Sequence, residues 1–335
     1  MNLHVPVNIG SYRTRGNLFL APVAGYSDAA FRSVCADAGC DLAFTEMVSS
    51  EALTRGHLKT EVLLAREPNE LDYAVQLFGA KPDVMARAAQ MVAERWKPAL
   101  IDINCGCPVP KIVRSGAGSI LMRDPEHLHA IVKAMTEAVS LPVSVKIRLG
   151  WDDSSINYIE VAHAAVEGGA AALTLHARTR AQGYAGKADR PAFYALAAAV
   201  SVPVFASGDL FSAADAVDIL SGGAEGARVA GVMFARGAMG DPFIFTRARA
   251  ALEGLSEPDI GGMRIETARR HLAISIRSYG EKTACVEFRK QACSYLKGTP
   301  GGAGLRKHAV SCATADDYEG FFKAWEQSEG LSISR

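Results

Sequence analysis

The sequence predicts a (β/α)8 barrel, the TIM-barrel class of α/β fold, followed by a small all-helical C-terminal domain. Three observations carry this expectation. Eight short apolar runs recur along roughly the first 250 residues, each followed by an alanine-rich stretch of helical character. Nearly every run begins apolar and ends on residues able to do chemistry. Beyond about residue 250 the alternation stops and amphipathic helical patterns take over. Near-continuous apolar strands alternating with helices indicate a parallel sheet covered by helices. Eight such units over this length suit a closed barrel better than an open doubly wound sheet. A chain of 335 residues that is 49% hydrophobic can bury a core of that size. No Gly-x-Gly-x-x-Gly follows the first run, which weighs against a dinucleotide-binding sheet.

NLFLAPVAG (17–25) ends in a tight turn, Pro22–Val23–Ala24, that brings backbone close to whatever fills the barrel mouth. LAFTEMV (42–48) carries Glu46, and YAVQLFG (73–79) carries Gln76, whose amide both donates and accepts. LIDINCG (100–106) runs through Asn104 into two cysteines one residue apart, Cys105 and Cys107, and then to Lys111. VSVKIRLG (143–150) brings Lys146 and Arg148, and LTLHART (173–179) brings His176 and Arg178. PVFASGD (203–209) ends in Ser207–Gly208–Asp209, and GVMFARG (231–237) holds Ala235–Arg236. Polar groups at the C-terminal ends of barrel strands converge on one mouth, where such barrels keep their sites.

Residues 1–250 are thus assigned to the barrel and 251–335 to the helical domain. ALEGLSEPDIGG (251–262) has linker character; amphipathic patterns follow at 264–280, 283–298 and 315–327. The formal net charge of zero conceals a contrast: residues 256–310 hold ten Lys and Arg against five Asp and Glu, and residues 311–335 hold two against five. A basic segment in a near-neutral chain is either a solvated helix face or a surface for an anionic partner. Seven scattered cysteines and a polar, basic N-terminus favour a reduced cytoplasmic setting over a disulfide framework, and no apolar run is long enough to cross a bilayer.

ASGDL and FARGAMGDPF place glycine-flanked backbone amides where helices open, after strands seven and eight, a recurrent phosphate position in this barrel class. A phosphate there fits flavin mononucleotide, pyridoxal phosphate or a phosphorylated substrate. Lys146 could form a Schiff base or donate to the carbonyl edge of a reduced flavin. With Gln76 suited to a pyrimidine edge and the close APVAG turn, the set favours flavin. The Cys-x-Cys spacing is not that of a thioredoxin-like pair, and no further Cys or His lies nearby at ligand spacing, so no metal is expected.

Several ordered segments together resemble the flavin-dependent tRNA-dihydrouridine synthases, and among them the bacterial synthase B and nitrogen-regulation-linked group. They are LAPVAGYSDAAFR, TEMVSS, DINCGCPVPKIVRSGAGSILM, VKIRLGWD, LHARTRAQGYAGKAD, SGD, VMFARGAMGDPFIF, EFRK and YLKGTPGGAGLRKH, spanning about residues 15–310. The resemblance implies one FMN per chain, NADPH as reductant and tRNA as substrate and partner, with the C5–C6 bond of a uridine reduced. It implies Cys107 as the acid that protonates C5 while the flavin delivers hydride to C6. Flavin contacts fall on Pro22, Val23, Ala24, Gln76, Lys146 and His176, and its phosphate on Ser207, Gly208, Asp209, Ala235 and Arg236. Asn104, Lys111, Arg148, Arg178, Arg289, Lys290, Lys297 and Arg306 are expected to meet substrate, and Lys307 to join them on the basic domain. Ser207 stands where the family usually has Asn, and Ala235 where it usually has Gly; both departures bear on flavin affinity. The segment GGAEGARVAGVMF (222–234) is longer than the family's usual one. Cys105 and Tyr295 are expected to be packing residues. A dehydrogenase of free pyrimidines and a non-catalytic binding module are the competing readings.

Overall fold

The computed structural model describes residues 2–224 and 227–330. Eight parallel strands close into a barrel: β1 (Leu18–Leu20), β2 (Leu42–Phe44), β3 (Tyr73–Phe78), β4 (Leu100–Asn104), β5 (Val143–Arg148), β6 (Ala172–His176), β7 (Val204–Ser207) and β8 (Gly231–Phe234). Each pairs with its sequence neighbours, and β8 pairs with β1 to complete the ring. A closed ring leaves no unpaired strand edge. The pairing register sets Gln76 beside Asp102, Asn104 beside Lys146, and both Arg148 and Ser207 beside His176.

Alternate residues of a strand face opposite sides of the sheet, and here they form two cores. Phe19, Leu42, Phe44, Ala74, Leu100, Ala172, Phe205 and Met233 fill the barrel interior. A short N-terminal hairpin, Asn8–Ile9 with Tyr12–Arg13, adds Val7 and Ile9 to that same interior cluster. The intervening residues, among them Leu18, Leu20, Val75, Ile101, Ile103, Val145 and Leu173, pack outward against the helices. Those helices are α1 (Ala29–Asp37), α2 (Pro82–Arg95), α3 (Pro125–Ala138), α4 (Tyr158–Glu167), α5 (Pro191–Ala199), α6 (Ala213–Ser221) and α7 (Ile244–Glu253). Shorter helices fill the loops after β2 and β4. Proline opens α2, α3 and α5, where its missing N–H costs nothing. A reciprocal Ser212–Asp215 capping box starts α6.

The expected division at residue 250 falls inside α7, which continues to Glu253 and ends at a left-handed Gly254. Four helices follow: α8 (Met263–Tyr279), α9 (Glu281–Tyr295), α10 (Gly302–Ser311) and α11 (Ala315–Ser328). The helix α10 is not expected from TPGGAGLRKH, whose glycines disfavour helix; burial of Leu305 and Ala309 in the C-terminal core overrides that propensity. The same core holds Phe288, Tyr295, Tyr318, Phe321, Phe322 and Trp325. It docks on the barrel through Phe31 stacked on His271, ring centroids 5.6 Å apart, and through ion pairs of Arg270 with Asp37 and Arg277 with Glu67. Gly240, at φ +71°, lets the loop after β8 touch α9: a Cβ there would lie 2.1 Å from the Ser294 carbonyl carbon. Of the long segment 222–234, residues 225 and 226 lie outside the described residues. Among the described residues no helix is long and apolar enough to cross a membrane.

Candidate active site

A cavity of about 260 Å³ opens at the C-terminal ends of the strands. Its lining brings together Pro22, Val23, Ala24, Gln76, Asn104, Cys107, Lys146, Arg148, His176, Ser207, Gly208, Asp209, Ala235 and Arg236, which the sequence had drawn from seven different strand ends. Met47, Tyr184, Leu210 and Phe211 complete the wall.

The polar floor is built by β3, β4 and β5. Gln76 is fully buried; its Nε2 donates to Asp102 Oδ2 at 2.7 Å, and its Oε1 accepts from Asn104 Nδ2 at 2.8 Å. Asp102 also accepts from Ser144 Oγ at 2.6 Å. Burial pushes the Asp102 carboxyl up to about 7, against the hydrogen bonds from Gln76 and Ser144 and the nearby Lys146 charge. Lys146 projects into the cavity without an ion-pair partner among the described residues. Burial, aided by the Arg148 charge and opposed by Asp102 and Cys107, lowers its ammonium to about 8. His176 Nε2 is buried with no hydrogen-bond partner among the described residues. Burial and then the charges of Lys146, Arg148, Arg178 and Arg236 drive its pKa far down, so the ring is neutral.

Cys107 stands where β4 has ended. Asn104 Oδ1 accepts from its backbone N–H at 2.9 Å and from that of Gly106 at 3.3 Å. From the other side, Arg148 Nε donates to the Gly106 carbonyl at 2.7 Å, while its Nη1 reaches the Thr179 and Gly183 carbonyls. The thiol is partly exposed to the cavity, and burial raises its pKa, which keeps it protonated at neutral pH. Cys105 is 0% exposed and packs in the outer core. The strand ends at Asn104, short of the run 100–106 read from the sequence, although the Cys105 N–H still bonds the Lys146 carbonyl.

The phosphate-type loops are tied by ions. Asp209, at φ +52°, accepts from Arg178 Nη2 at 2.6 Å, from Arg236 Nη2 at 3.2 Å and from the Ala188 N–H at 2.8 Å. Arg178 is buried, outside the cavity lining, and also bonds the Ala185 and Gly186 carbonyls. Arg236 lies over Tyr184 and Phe211, 4.6 and 5.2 Å from the ring centroids.

Lys111 lines a separate cavity of about 410 Å³ with Lys81, Glu51 and Ser115, next to the Cys107 loop. Lys290 pairs with Glu287 and sits 5.9 Å from the Tyr26 ring at the barrel rim. Arg289 is half-buried and bonds the Cys312 carbonyl. Lys297, Arg306 and Lys307 are exposed. Tyr295 is fully buried.

The family model for dihydrouridine synthase matches residues 19–328, which takes in every barrel strand and all four C-terminal helices. The chain belongs to the dihydrouridine synthase family. This dihydrouridine synthase is 44% identical to a probable tRNA-dihydrouridine synthase of Treponema pallidum, over 94% of this chain and 95% of that one. It is 37% identical to tRNA-dihydrouridine synthase B of Pseudomonas putida, over 90% and 88%. Relatives carrying the synthase B name bear out the subgroup expected from the motifs. As the motifs implied, the family is one of flavin-dependent oxidoreductases. The old yellow enzyme homologue from Zymomonas mobilis shares the barrel at a TM-score of 0.50 and 11% identity, over 79% of this chain and 96% of that one.

The sequence reading missed Asp102 and Ser144. Each lies two residues before a predicted site residue on the same strand, Asn104 and Lys146, so the strand period of two placed them on the inner face. Tyr184 and Phe211 come from loops and gave no periodic signal.

Proposed function

We propose that the chain reduces the C5–C6 bond of a uridine in tRNA, with FMN bound in the mouth, NADPH as reductant and Cys107 as the proton donor. The observation that carries this reading is a protonated thiol held beside nitrogen groups that face the cavity: Lys146 and His176 Nε2 without a partner among the described residues, and Arg236 shared with Asp209. Lys146, the free Nε2 face of His176 and the half-exposed Arg236 all line one cavity with Cys107. Such a donor set fits an anionic, carbonyl-rich cofactor: Lys146 and Gln76 would hold the pyrimidine edge of a flavin, and Ser207, Gly208, Asp209, Ala235 and Arg236 its phosphate end. Bound FMN would supply the hydride that adds to uracil C6.

The chain supplies the rest. As C6 is reduced, electron density moves onto C5 and the C4 carbonyl, and Cys107 Sγ gives its proton to C5. A thiol is a suitable acid because it is protonated at neutral pH yet acidic enough to yield the proton. Arg148 and Asn104 fix the loop, so the thiol is held without relying on the substrate. A uridine inside folded tRNA must leave its stack to reach the mouth. The exposed Lys297, Arg306 and Lys307 on the C-terminal helices would hold the tRNA body by its phosphates, with Lys290 at the rim. Arg269, Arg270, Arg277 and Lys290 already pair with carboxylates, which leaves Arg264, Lys282, Arg289, Lys297, Arg306 and Lys307 of the basic segment without a carboxylate partner among the described residues.

The experiment is Cys107→Ala. Flavin content and reduction by NADPH should persist, and anaerobic reoxidation by tRNA lacking dihydrouridine should fall by about 10²–10⁴-fold, the usual contribution of a general acid. Unchanged reoxidation by tRNA would remove Cys107 from the chemistry. Equal turnover of free uridine and tRNA would favour a free-pyrimidine reductase.

A further inference from the structure

We propose that Asp102 is a positioning residue: through a directed chain of two side-chain amides it sets the placement of the Cys107 loop. The inference rests on Cys107 being the proton donor only for its effect on rate; the chain itself can be read from the thiol alone.

The chain begins inside the barrel. Asp102 is 0% exposed and accepts from Ser144 Oγ on one oxygen and Gln76 Nε2 on the other, at 2.6 and 2.7 Å. Gln76 Oε1 then accepts from Asn104 Nδ2 at 2.8 Å, and Asn104 Oδ1 accepts from the Cys107 N–H at 2.9 Å. Above its raised pKa of about 7 the Asp102 carboxylate only accepts, and a backbone N–H only donates. Between those two ends an amide has one correct orientation, and a flip of either amide sets donor against donor or acceptor against acceptor. The barrel register that places Gln76 beside Asp102 makes the chain possible. Its far end is the residue after Gly106, where the strand has ended and sheet hydrogen bonds no longer hold the backbone.

This directionality has a consequence that simple packing does not share. Asp102→Asn either turns an NH2 toward Gln76 Nε2 or, with the new amide flipped, makes Ser144 Oγ accept and takes away the acceptor of its O–H, so one buried polar group loses its partner in either orientation. Asn104→Asp sets a carboxylate against Gln76 Oε1, and at about pH 8.5 and above, where Asp102 is ionised and the readouts are taken, flipping Gln76 moves the clash to Asp102. In the double variant the mismatches cancel. The amide introduced at position 102 donates to a flipped Gln76, Gln76 donates to the carboxylate introduced at position 104, and that carboxylate still accepts from the Cys107 N–H. The chain runs in reverse and every group is partnered.

Two readouts test this on the full-length protein. The first is the rate at which iodoacetamide alkylates Cys107, followed by peptide mapping. The second is the single-turnover rate of uridine reduction in tRNA, with tRNA affinity measured in parallel. Each single variant, compared with wild type at equal bound FMN and saturating tRNA, should lose roughly 10–100-fold in the reduction rate, as expected for a mismatched buried polar group. Each should also alkylate Cys107 several-fold faster as the loop loosens. The double variant should recover at least about tenfold over Asn104→Asp and return alkylation toward wild type. Additive losses, with the double worse than either single, would overturn the proposal. If Asp102→Asn alone does not fold, a folded double with restored alkylation still supports it, and a double equally defective overturns it. Should Cys107→Ala prove harmless to reduction, the acid reading fails while the alkylation pattern still decides the chain.

Discussion

The Arg178 guanidinium holds the Asp209 carboxylate at 2.6 Å, and Arg236 approaches the other oxygen of the same carboxylate at 3.2 Å. Arg178 was expected to meet substrate and Asp209 to meet cofactor phosphate. The pair ties the loop after β6 to the loop after β7, with Arg178 buried beneath the Ala185 and Gly186 carbonyls. Arg236 is left half-exposed at the cavity edge, its charge shared with Asp209.

Arg178→Ala should therefore act on the loops. Removing one partner of a buried, hydrogen-bonded ion pair costs up to about 3–5 kcal/mol, and less here because Asp209 is partly exposed. Thermal unfolding should show a lower midpoint, and FMN titration a weaker Kd. Arg178→Lys should rescue neither fully, because one ammonium cannot replace the fork that reaches Asp209 and two carbonyls. Burial raises the Asp209 pKa, but the Arg178 hydrogen bond and charge outweigh it and leave it below the ordinary carboxylate value. A depressed carboxylate stabilises the fold above its unfolded pKa and loses that stabilisation as pH falls through the folded one. Acid sensitivity below about pH 4 should thus differ between wild type and Arg178→Ala. Identical acid profiles would show that the pair does not stabilise the fold.

The two thiols should separate cleanly. Cys105→Ala removes a small buried side chain and should leave turnover within a few-fold of wild type. Cys107→Ala should lose most uridine reduction. Because burial raises the Cys107 pKa, the acid form persists to higher pH than an ordinary thiol of about 8.5 would allow. The pH profile of single-turnover reduction should stay flat through pH 8 and descend only above the ordinary thiol value. A descent centred below pH 8 would contradict a proton-donating thiol in this setting.

Lys146 should give flavin binding a pH dependence. Its ammonium titrates near 8 in the free protein, chiefly because it is buried and then because Arg148 repels it. The folded state gives up this proton before the unfolded state does, so stability of the flavin-free protein should rise between about pH 8 and 10.4. FMN affinity should fall over the same interval, as the cation facing the cofactor is lost. Lys146→Met should weaken FMN binding at pH 7 and flatten both trends. Reconstitution of flavin-free protein at pH 7 and pH 9, followed by fluorescence, measures this directly. An affinity that does not change with pH would detach Lys146 from the cofactor.

Neutralising Lys297, Arg306 and Lys307 to Gln should raise the Kd for tRNA and leave flavin reduction by NADPH intact. The slope of log affinity against log salt should become shallower by about 0.9 for each duplex phosphate that is no longer neutralised. Unchanged affinity and slope would make this cluster a solvated helix face.

What the sequence determined by itself was everything carried by local pattern. Apolar runs of strand length gave the eight strands, and the polar residues closing them gave the cavity lining from Pro22 to Arg236, because a strand's inner face and its end are set by spacing along one chain. The buried fates of Cys105 and Tyr295 were legible for the same reason. Tertiary structure alone decided which partners those polar groups found. Asp102 became the root of the amide chain only when β3 and β4 paired in a register that faced it with Gln76. Arg178 turned inward to Asp209 across 31 residues of sequence, and Arg270 and Arg277 of the basic segment were neutralised by Asp37 and Glu67 of the barrel. Helix α10 formed over glycines because Leu305 and Ala309 had a core to enter. A side chain's type and period fix the face it occupies, whereas its charge partner and depth depend on residues far away in sequence that folding brings within a few ångströms.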